Sequence, residues 1–411
     1  MKNKFDLNFK LIIISKIISV VGGSVLGFAM ILFLVDFTGS AAMLGIITAV
    51  SQLPTVLITP VAGMIADRFD KKKLIVFFDI TKAISNFIFL ALLLTNTYTI
   101  LNITLLRMFK ISNNVFAQTV FTASIPRIVK DDNLVAANGA MQSISAIGLI
   151  GGSVIGGILF GVVSIELIAL GSGIVFFISA AISMFIKIPH VIQKAVGGMF
   201  ETVKSDMKES LAFLKNEKTI IIKLALIAST ITLIFPPIFN IGLPFIVGVV
   251  FGSQVTLSFG VAAVGMLAGG ICAGKLSKYL AIKNMAKWVF AIGTTSIFLA
   301  IAFMDFIPNL SIGLWIFNVT LACLLFIFAL LNSSFGAFIQ KEVPPHLLGK
   351  VNSLLQMISL IAGPMGIMAV GFFIETIHLP NFFFGITAVT WILALVCGCI
   401  LKGYFNSNEG K

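Results

Sequence analysis

Gly63-Met-Ile-Ala-Asp67-Arg68-Phe-Asp70-Lys71-Lys72-Lys73-Leu74 is a hydrophilic knot between two long apolar runs. Six of its seven positions from Asp67 to Lys73 are charged, and nothing near them in the chain is as charged. Basic residues are retained on the cytoplasmic side of membrane proteins, so a knot of this kind marks a short cytoplasmic turn between two membrane spans. The rest of the chain fits that reading. Of its 411 residues, 58% are hydrophobic and 11% charged, where a soluble domain carries about 25% charged residues. The mean hydropathy is +1.10. A net charge of +12 in a soluble protein would raise nucleic acid as a partner. Here the cations fall in short loops between apolar runs, where topology and the membrane surface account for them, and no nucleic acid is expected.

A bilayer-spanning helix needs about 20 mostly apolar residues. Twelve or so such runs are expected, at 9–35, 42–65, 73–95, 99–123, 136–162, 165–187, 219–249, 255–277, 285–304, 310–338, 350–374 and 381–402. Orientation tests the assignment. Lys2, Lys4 and Lys10 precede span one. Arg68 and Lys71–Lys73 lie between spans two and three, and Arg127 and Lys130 between four and five. Lys194, Lys204, Lys208 and Lys215 lie between six and seven, Lys278 and Lys283 between eight and nine, Lys341 between ten and eleven. The intervening loops carry no lysine or arginine and hold Asp36, Asp305 and Glu375. The asymmetry puts both termini in the cytoplasm. Lysines before an apolar run also open a signal peptide, but the run from Leu11 to Val35 is too long for one and has no Ala-x-Ala site.

The chain repeats itself. The stretch from Val129 through Asn138 to Gln142 is echoed by Val343, Asn352 and Gln356 at a constant offset of 214. Ala62, Gly63 and Lys72 are echoed by Ala273, Gly274 and Lys283 at an offset of 211. The expected fold class is therefore an all-α polytopic membrane protein, with about 12 transmembrane helices in two six-helix bundles. Residues 1–187 form the first bundle, 188–218 a cytoplasmic linker, and 219–411 the second bundle. Within the linker Phe200, Val203, Met207, Leu211 and Leu214 recur at helical spacing, an amphipathic pattern.

Catalytic chemistry has little to stand on. Cys272, Cys323, Cys397 and Cys399 lie inside apolar runs at no disulfide or metal spacing. His190, His346 and His378 are scattered. No phosphate-binding loop occurs, so direct use of ATP is not expected, nor any cofactor or metal.

The knot and the repeat together resemble the major facilitator superfamily, whose loop between helices two and three runs Gly-x-x-x-Asp-Arg-x-Gly-Arg-Arg/Lys. Gly63, Asp67, Arg68, Lys71 and Lys72 are in register with it, and Asp70 stands where the family usually has glycine. The resemblance implies a conformational latch. Gly63 would let helix two approach a neighbour closely. Asp67 would meet a positive helix N-terminus, and the cations would bridge carboxylates and lipid phosphates. A plain basic turn would satisfy the topology rule equally.

Span five carries Gly148-x-x-x-Gly152-Ser153-x-x-Gly156-Gly157, which resembles the antiporter motif of superfamily exporters with Ser153 in place of proline. Span eleven carries Gly363-Pro364-Met-Gly366. Small residues at these spacings let helices pack closely where the halves meet, and ordinary close packing would need no more.

One face of span four gathers Arg107, Lys110, Asn114 and Gln118 at i, i+3, i+7 and i+11. Charges within a membrane usually face the bundle interior or a wet cavity, so this face is a candidate cavity lining; structural snorkelling of the two cations is the alternative. Lys16, Ser19, Gly23 and Gly27 share a face of span one, Ser229, Thr232, Pro236 and Asn240 a face of span seven, and Asn318 is a polar break in span ten. The resemblance implies that spans one, four, seven and ten line the cavity. Asp79, with Lys82 and Asn86, lies in span three. Burial would let Asp79 cycle a proton, whereas Lys82 at i+3 would hold it ionised as a structural pair.

The resemblance extends to the bacterial macrolide-efflux type of drug:proton antiporter, through Asp67–Lys72, Asn138–Gln142 and its echo. It implies alternating access by two rocking bundles, a monomer in membrane lipid, a small-molecule substrate and protons as the coupling ion. The charges of Arg107, Lys110 and Lys16 fit an anionic or neutral substrate better than a cation. An importer of a small anionic or neutral solute shares every feature except the span-five glycines. A membrane enzyme would need a catalytic cluster that the sequence lacks.

Overall fold

In lipid every backbone amide must find its partner within the protein, and a helix does this locally. The computed structural model describes residues 7–128, 144, 148, 151–152, 154–188, 208–209, 211–216, 218–251, 255–276, 282–304, 307 and 309–409, and no strand occurs among them. Helical segments fall in all twelve expected spans. In chain order they are α1 (Leu7–Thr38), α2 (Ala41–Arg68), α3 (Lys71–Leu94), α4 (Ile100–Ile128), α5 (described at 144, 148, 151–152 and 154–162) and α6 (Ile165–Met184). The second series is α7 (Thr219–Pro237 with its continuation to Val250), α8 (Val255–Lys275), α9 (Met285–Ile301), α10 (Leu310–Glu342), α11 (Pro345–Thr376) and α12 (Leu379–Glu409). The chain is an all-α polytopic membrane protein.

Seven of these helices are long and apolar enough to cross a membrane by themselves, α1, α3, α6, α7, α9, α10 and α12. Shorter apolar stretches lie within α2, α8 and α11. α4 belongs to neither group, since Arg107, Lys110, Asn113, Asn114 and Gln118 interrupt its apolar surface.

The helix ends follow local chemistry. Gly39, between α1 and α2, has φ +61°, a left-handed conformation that closes a helix and costs a side chain dearly. Asn309 caps α10 by accepting from the Ser311 amide at 2.9 Å. Pro345 starts α11, where a missing N–H is harmless, so that helix begins five residues before the expected 350. α7 differs most from a plain span. After Pro236 and Pro237 it passes through π-helical turns at Ile238–Gly242 and Ile246–Val250. Prolines 236, 237 and 244 donate no backbone N–H, so the i→i−4 ladder is interrupted and local π turns result.

The chain divides into two compact units, residues 1–39 with 47–200, and residues 40–46 with 201–411. In the first, α6 packs on α1 and α3, and α3 on α4. In the second, α12 packs on α9, α9 on α10, α8 on α10 and α11 on α7. The α3–α6 and α3–α4 pairs thus recur six helices later as α9–α12 and α9–α10. The repeat extends to single contacts. A Cβ on Gly152 would lie 2.1 Å from the Ser24 Cβ of α1, and one on Gly366, 214 residues later, 2.0 Å from the Leu233 carbonyl of α7. The second unit also holds the first turn of α2, where Glu375 accepts from Ser40 Oγ and the Ala42 amide, each at 2.8 Å. The echo stretch 129–142 is outside the described residues except for its second-half copy in α11.

Of the expected amphipathic linker helix, residues 208–209 and 211–216 are described and helical. Leu214 and Phe213 are buried there, whereas Leu211 is 52% exposed. The buried face is therefore rotated from the expected line, toward Phe213. Phe200, Val203, Met207 and Lys204 lie outside the described residues.

Candidate functional site

Four cations stand in the membrane-spanning part of the first unit: Lys16 on α1, Lys82 on α3, Arg107 and Lys110 on α4. The helices that carry them turn these charges inward, toward other polar side chains rather than lipid. All four line one cavity of about 580 Å³, within the roughly 300–1,000 Å³ usual for small-molecule sites. The i, i+3, i+7, i+11 face of α4 is assembled intact, since Asn114 and Gln118 line the same cavity. So is the α1 face of Lys16, Ser19, Gly23 and Gly27.

The cations divide by partner. Lys16 Nζ donates to Gln118 Oε1 and sits 4.5 Å above the Phe121 ring. Lys82 pairs with Asp79 at 3.4 Å and lies 5.3 Å from the Phe176 ring centre. Arg107, 9% exposed, has a buried Nε without a hydrogen-bond partner among the described residues. The buried Nζ of Lys110 also has none among them.

Asp79 is fully buried behind the cavity wall. Besides Lys82 it accepts from Ser179 Oγ at 2.6 Å and from Ser19 Oγ at 3.2 Å. Ser179 belongs to a set on α6 that the sequence reading missed. Ser15 Oγ lies 3.0 Å from Ser179 Oγ and 2.6 Å from Ser183 Oγ. Ser172 Oγ donates to the Gly22 carbonyl and accepts from Asn86 Nδ2, both at 2.9 Å. Serines at 172, 179 and 183 repeat at i, i+7 and i+11, the same one-face spacing as on α4. That spacing was the available signal. Together these hydroxyls join α1, α3 and α6 around the one carboxylate.

The span-five glycines pack against α1 of their own unit. A Cβ on Gly148 would lie 1.9 Å from Val20 Cγ1, and one on Gly156 2.6 Å from the Val25 carbonyl. Gly157 is buried, and Ser153 is outside the described residues. α8 carries an equivalent that the sequence reading missed: Gly265 and Gly269 abut the Ala322 and Phe326 carbonyls of α10.

In the loop between α2 and α3, Asp70 caps α3, accepting from the Lys73 amide at 3.1 Å. An aspartate in the family's glycine position thus does a capping job. Lys71 is buried and donates to the Ala66 carbonyl at the end of α2, at 2.8 Å. Lys72 is half-buried, and the side chains of Asp67 and Arg68 are outside the described set. Gly63 differs from the close-approach expectation: among the described residues nothing lies within 4 Å of where its Cβ would be.

Asn240 and Asn318 belong to the second unit. Asn240 is exposed and donates to the Pro236 carbonyl at 2.9 Å. Asn318 is 1% exposed, and neither its amide nitrogen nor its oxygen has a partner among the described residues.

A chain of membrane-spanning helices with an internal repeat and a polar cavity in its first unit has the build of a solute transporter. The family model for the Major Facilitator Superfamily matches residues 12–367, and the chain belongs to that superfamily. It is 24% identical to macrolide efflux protein A of Streptococcus pyogenes over 404 residues, 97% of each chain. It is also 24% identical to an uncharacterized MFS-type transporter, YfiS, of Bacillus subtilis, over 85% of this chain and 79% of that one. Among solved structures it resembles the nucleoside transporter NupG, with TM-score 0.74 and 15% identity over 97% of this chain and all of the other. A bacterial homologue of the iron transporter ferroportin in its inward-facing state gives 0.71 and 14% over 97% and 98%. At these identities the structures speak for the fold. Family and fold are those of multi-pass membrane transporters of small molecules.

Proposed function

We propose that this chain is a secondary active exporter in the cell (cytoplasmic) membrane. It moves a small molecule (a drug, a macrolide-like compound or an anionic metabolite) by alternating access in exchange for protons. It works as a monomer in membrane lipid, with both termini cytoplasmic. Residues 1–187 and 219–411 act as the two bundles and 188–218 as their linker. The cavity of the first unit, with its intact α1 and α4 faces, carries the reading that a solute binds there. The end-to-end similarity to a protein named for macrolide efflux and the glycine stripe packed on α1 support export. The loop residues Asp67, Arg68, Lys71 and Lys72 serve as the latch, without the close approach expected at Gly63.

A second reading, import of a small anionic or neutral solute, draws on Ser153, which replaces the proline of the export motif. A pH-gradient assay in inside-out vesicles decides between them, with neutral, anionic and cationic compounds added in turn. Export with proton exchange predicts substrate-triggered proton release from acidified vesicles. A flat trace, with uptake confined to right-side-out vesicles or to another ion gradient, would overturn it.

A further inference from the structure

We propose that Arg107 and Lys110 form the head-group site for a soluble organic acid, a molecule with one oxyanion and an apolar body. The inference rests on the transporter reading and adds the substrate class. It starts from how the four cavity cations are satisfied. Lys82 has its counter-ion in Asp79, and Lys16 has an amide oxygen and an aromatic face. Arg107 Nε and Lys110 Nζ are buried with no partner among the described residues. An ionised group buried without a partner is costly, and these two stand one helical turn apart on the same face, lining the same cavity. Asp79 is occupied by Lys82, Ser19 and Ser179 and does not reach the cavity lining. Among the described residues neither cation has an ion-pair partner, and on this proposal the counter-charge comes from the cavity's occupant.

Geometry narrows the class. A guanidinium beside an ammonium suits a carboxylate or a similar oxyanion, which accepts charge-assisted bonds from both. The Asn114 amide, one turn further along α4, adds a polar contact. The same lining includes the apolar side chains of Ile111, Val115 and Phe176. A small, fully hydrated inorganic anion would leave that surface unmatched. An acid with an aromatic or aliphatic body would cover it.

The test is calorimetric binding to the full-length protein in phosphatidylcholine nanodiscs, against empty discs. The probes are 4-phenylbutyrate, its neutral isostere 4-phenylbutanamide, and the cation 4-phenylbutylamine. The acid is expected to bind at least tenfold tighter than the amide, and the amine most weakly. Arg107→Gln and Lys110→Gln should each weaken the acid by roughly ten- to a hundredfold, the range for losing one hydrogen bond to a charged group, with the amide unchanged. If one variant fails to fold, the other reads the same site. Equal binding of acid and amide, tightest binding of the amine, no binding of the acid, or an acid affinity indifferent to both variants would overturn the proposal. Discs containing phosphatidylglycerol separate the sources of the anion. Unchanged acid affinity supports a soluble acid, and loss of binding assigns the site to a lipid head group and overturns it. Acid binding that survives while vesicles show no export would fault the exporter reading alone.

Discussion

Replacing Asp79 by asparagine separates two roles for this carboxylate, structural counter-ion and proton carrier. At 3.4 Å from Lys82 Nζ, the attraction between the two charges is about 5 kcal/mol at an effective dielectric of about 20. Ser19 donates to Oδ1 and Ser179 to Oδ2. Asparagine keeps an oxygen for one hydroxyl and turns an amide NH2 toward the other, which can rotate to accept, so the larger loss is the charge. Lys82 is 7% exposed, and its remaining contacts are Ser19 Oγ at 3.4 Å and the Phe176 ring. A cation–ring contact contributes about 0.5–2 kcal/mol, too little to replace an ion pair. Breaking a buried pair by removing one member costs roughly 3–5 kcal/mol. D79N should therefore melt well below the parent protein in detergent. The double variant D79N/K82M, which removes both charges, should recover most of the loss, since a neutral pair of similar volume is about as stable as a buried ion pair. The assay is fluorescence-detected thermal melting of the three proteins, paired with proton-coupled transport in vesicles. If D79N melts like the parent and loses only the pH dependence of transport, the counter-ion argument is wrong and Asp79 is a carrier.

The glycine contacts give paired tests. Gly366→Ala and Gly152→Ala should lower melting temperature and transport, while Gly363→Ala and Gly151→Ala, which meet nothing within 4 Å among the described residues, should leave both unchanged. Gly366 should be the more sensitive of the first two, because its Cβ would meet a backbone carbonyl at 2.0 Å where Gly152's would first meet a serine side chain. In the α2–α3 loop, Asp70→Ala should cost about 1 kcal/mol through the lost cap. Lys71→Ala should cost about 0.5–1.5 kcal/mol through the lost bond to Ala66, and exposed Lys73→Ala almost nothing; melting curves of the three rank them. Gly39→Ala should cost about 1–2 kcal/mol for placing a Cβ at φ +61°, read the same way.

What was legible in the sequence depended on how local its cause was. Span count and loop positions follow from runs of apolar residues and the placement of lysines, so all twelve spans met a helix. The faces of α1 and α4 follow from helical periodicity, and both were found whole in one cavity. The π turns of α7 were less legible. Prolines 236, 237 and 244 announce a disturbed ladder, but not whether the helix breaks, kinks or widens. The serine set of α6 was written at a readable spacing, yet hydroxyls in apolar helices often bond their own i−4 carbonyl, as Thr104 and Ser124 do here. Only the approach of α1 and α3 turns Ser172, Ser179 and Ser183 outward to partners on other helices. Which cavity cations would be satisfied was likewise not written locally: Lys16 finds Gln118 from 102 residues away.

The same helix also ties the glycine stripe to the cavity. α1 turns Lys16, Ser19, Gly23 and Gly27 toward the cavity, while Val20 and Ser24 stand at its edge, lining the cavity and touching α5 at once. Gly148 meets Val20 and Gly152 meets Ser24. A stripe that is glycine at these positions lets α5 rest against the backbone of α1, and any side chain added there must displace a cavity-lining residue. Motion of α5 along α1 would pass through the same two contacts. In close-packed interiors such a displacement is transmitted rather than absorbed. The span-five glycines and this cavity thus share Val20 and Ser24. A methyl group added at Gly152 should consequently alter ligand affinity as well as stability, whereas one added at Gly151, open on the other side, should alter neither.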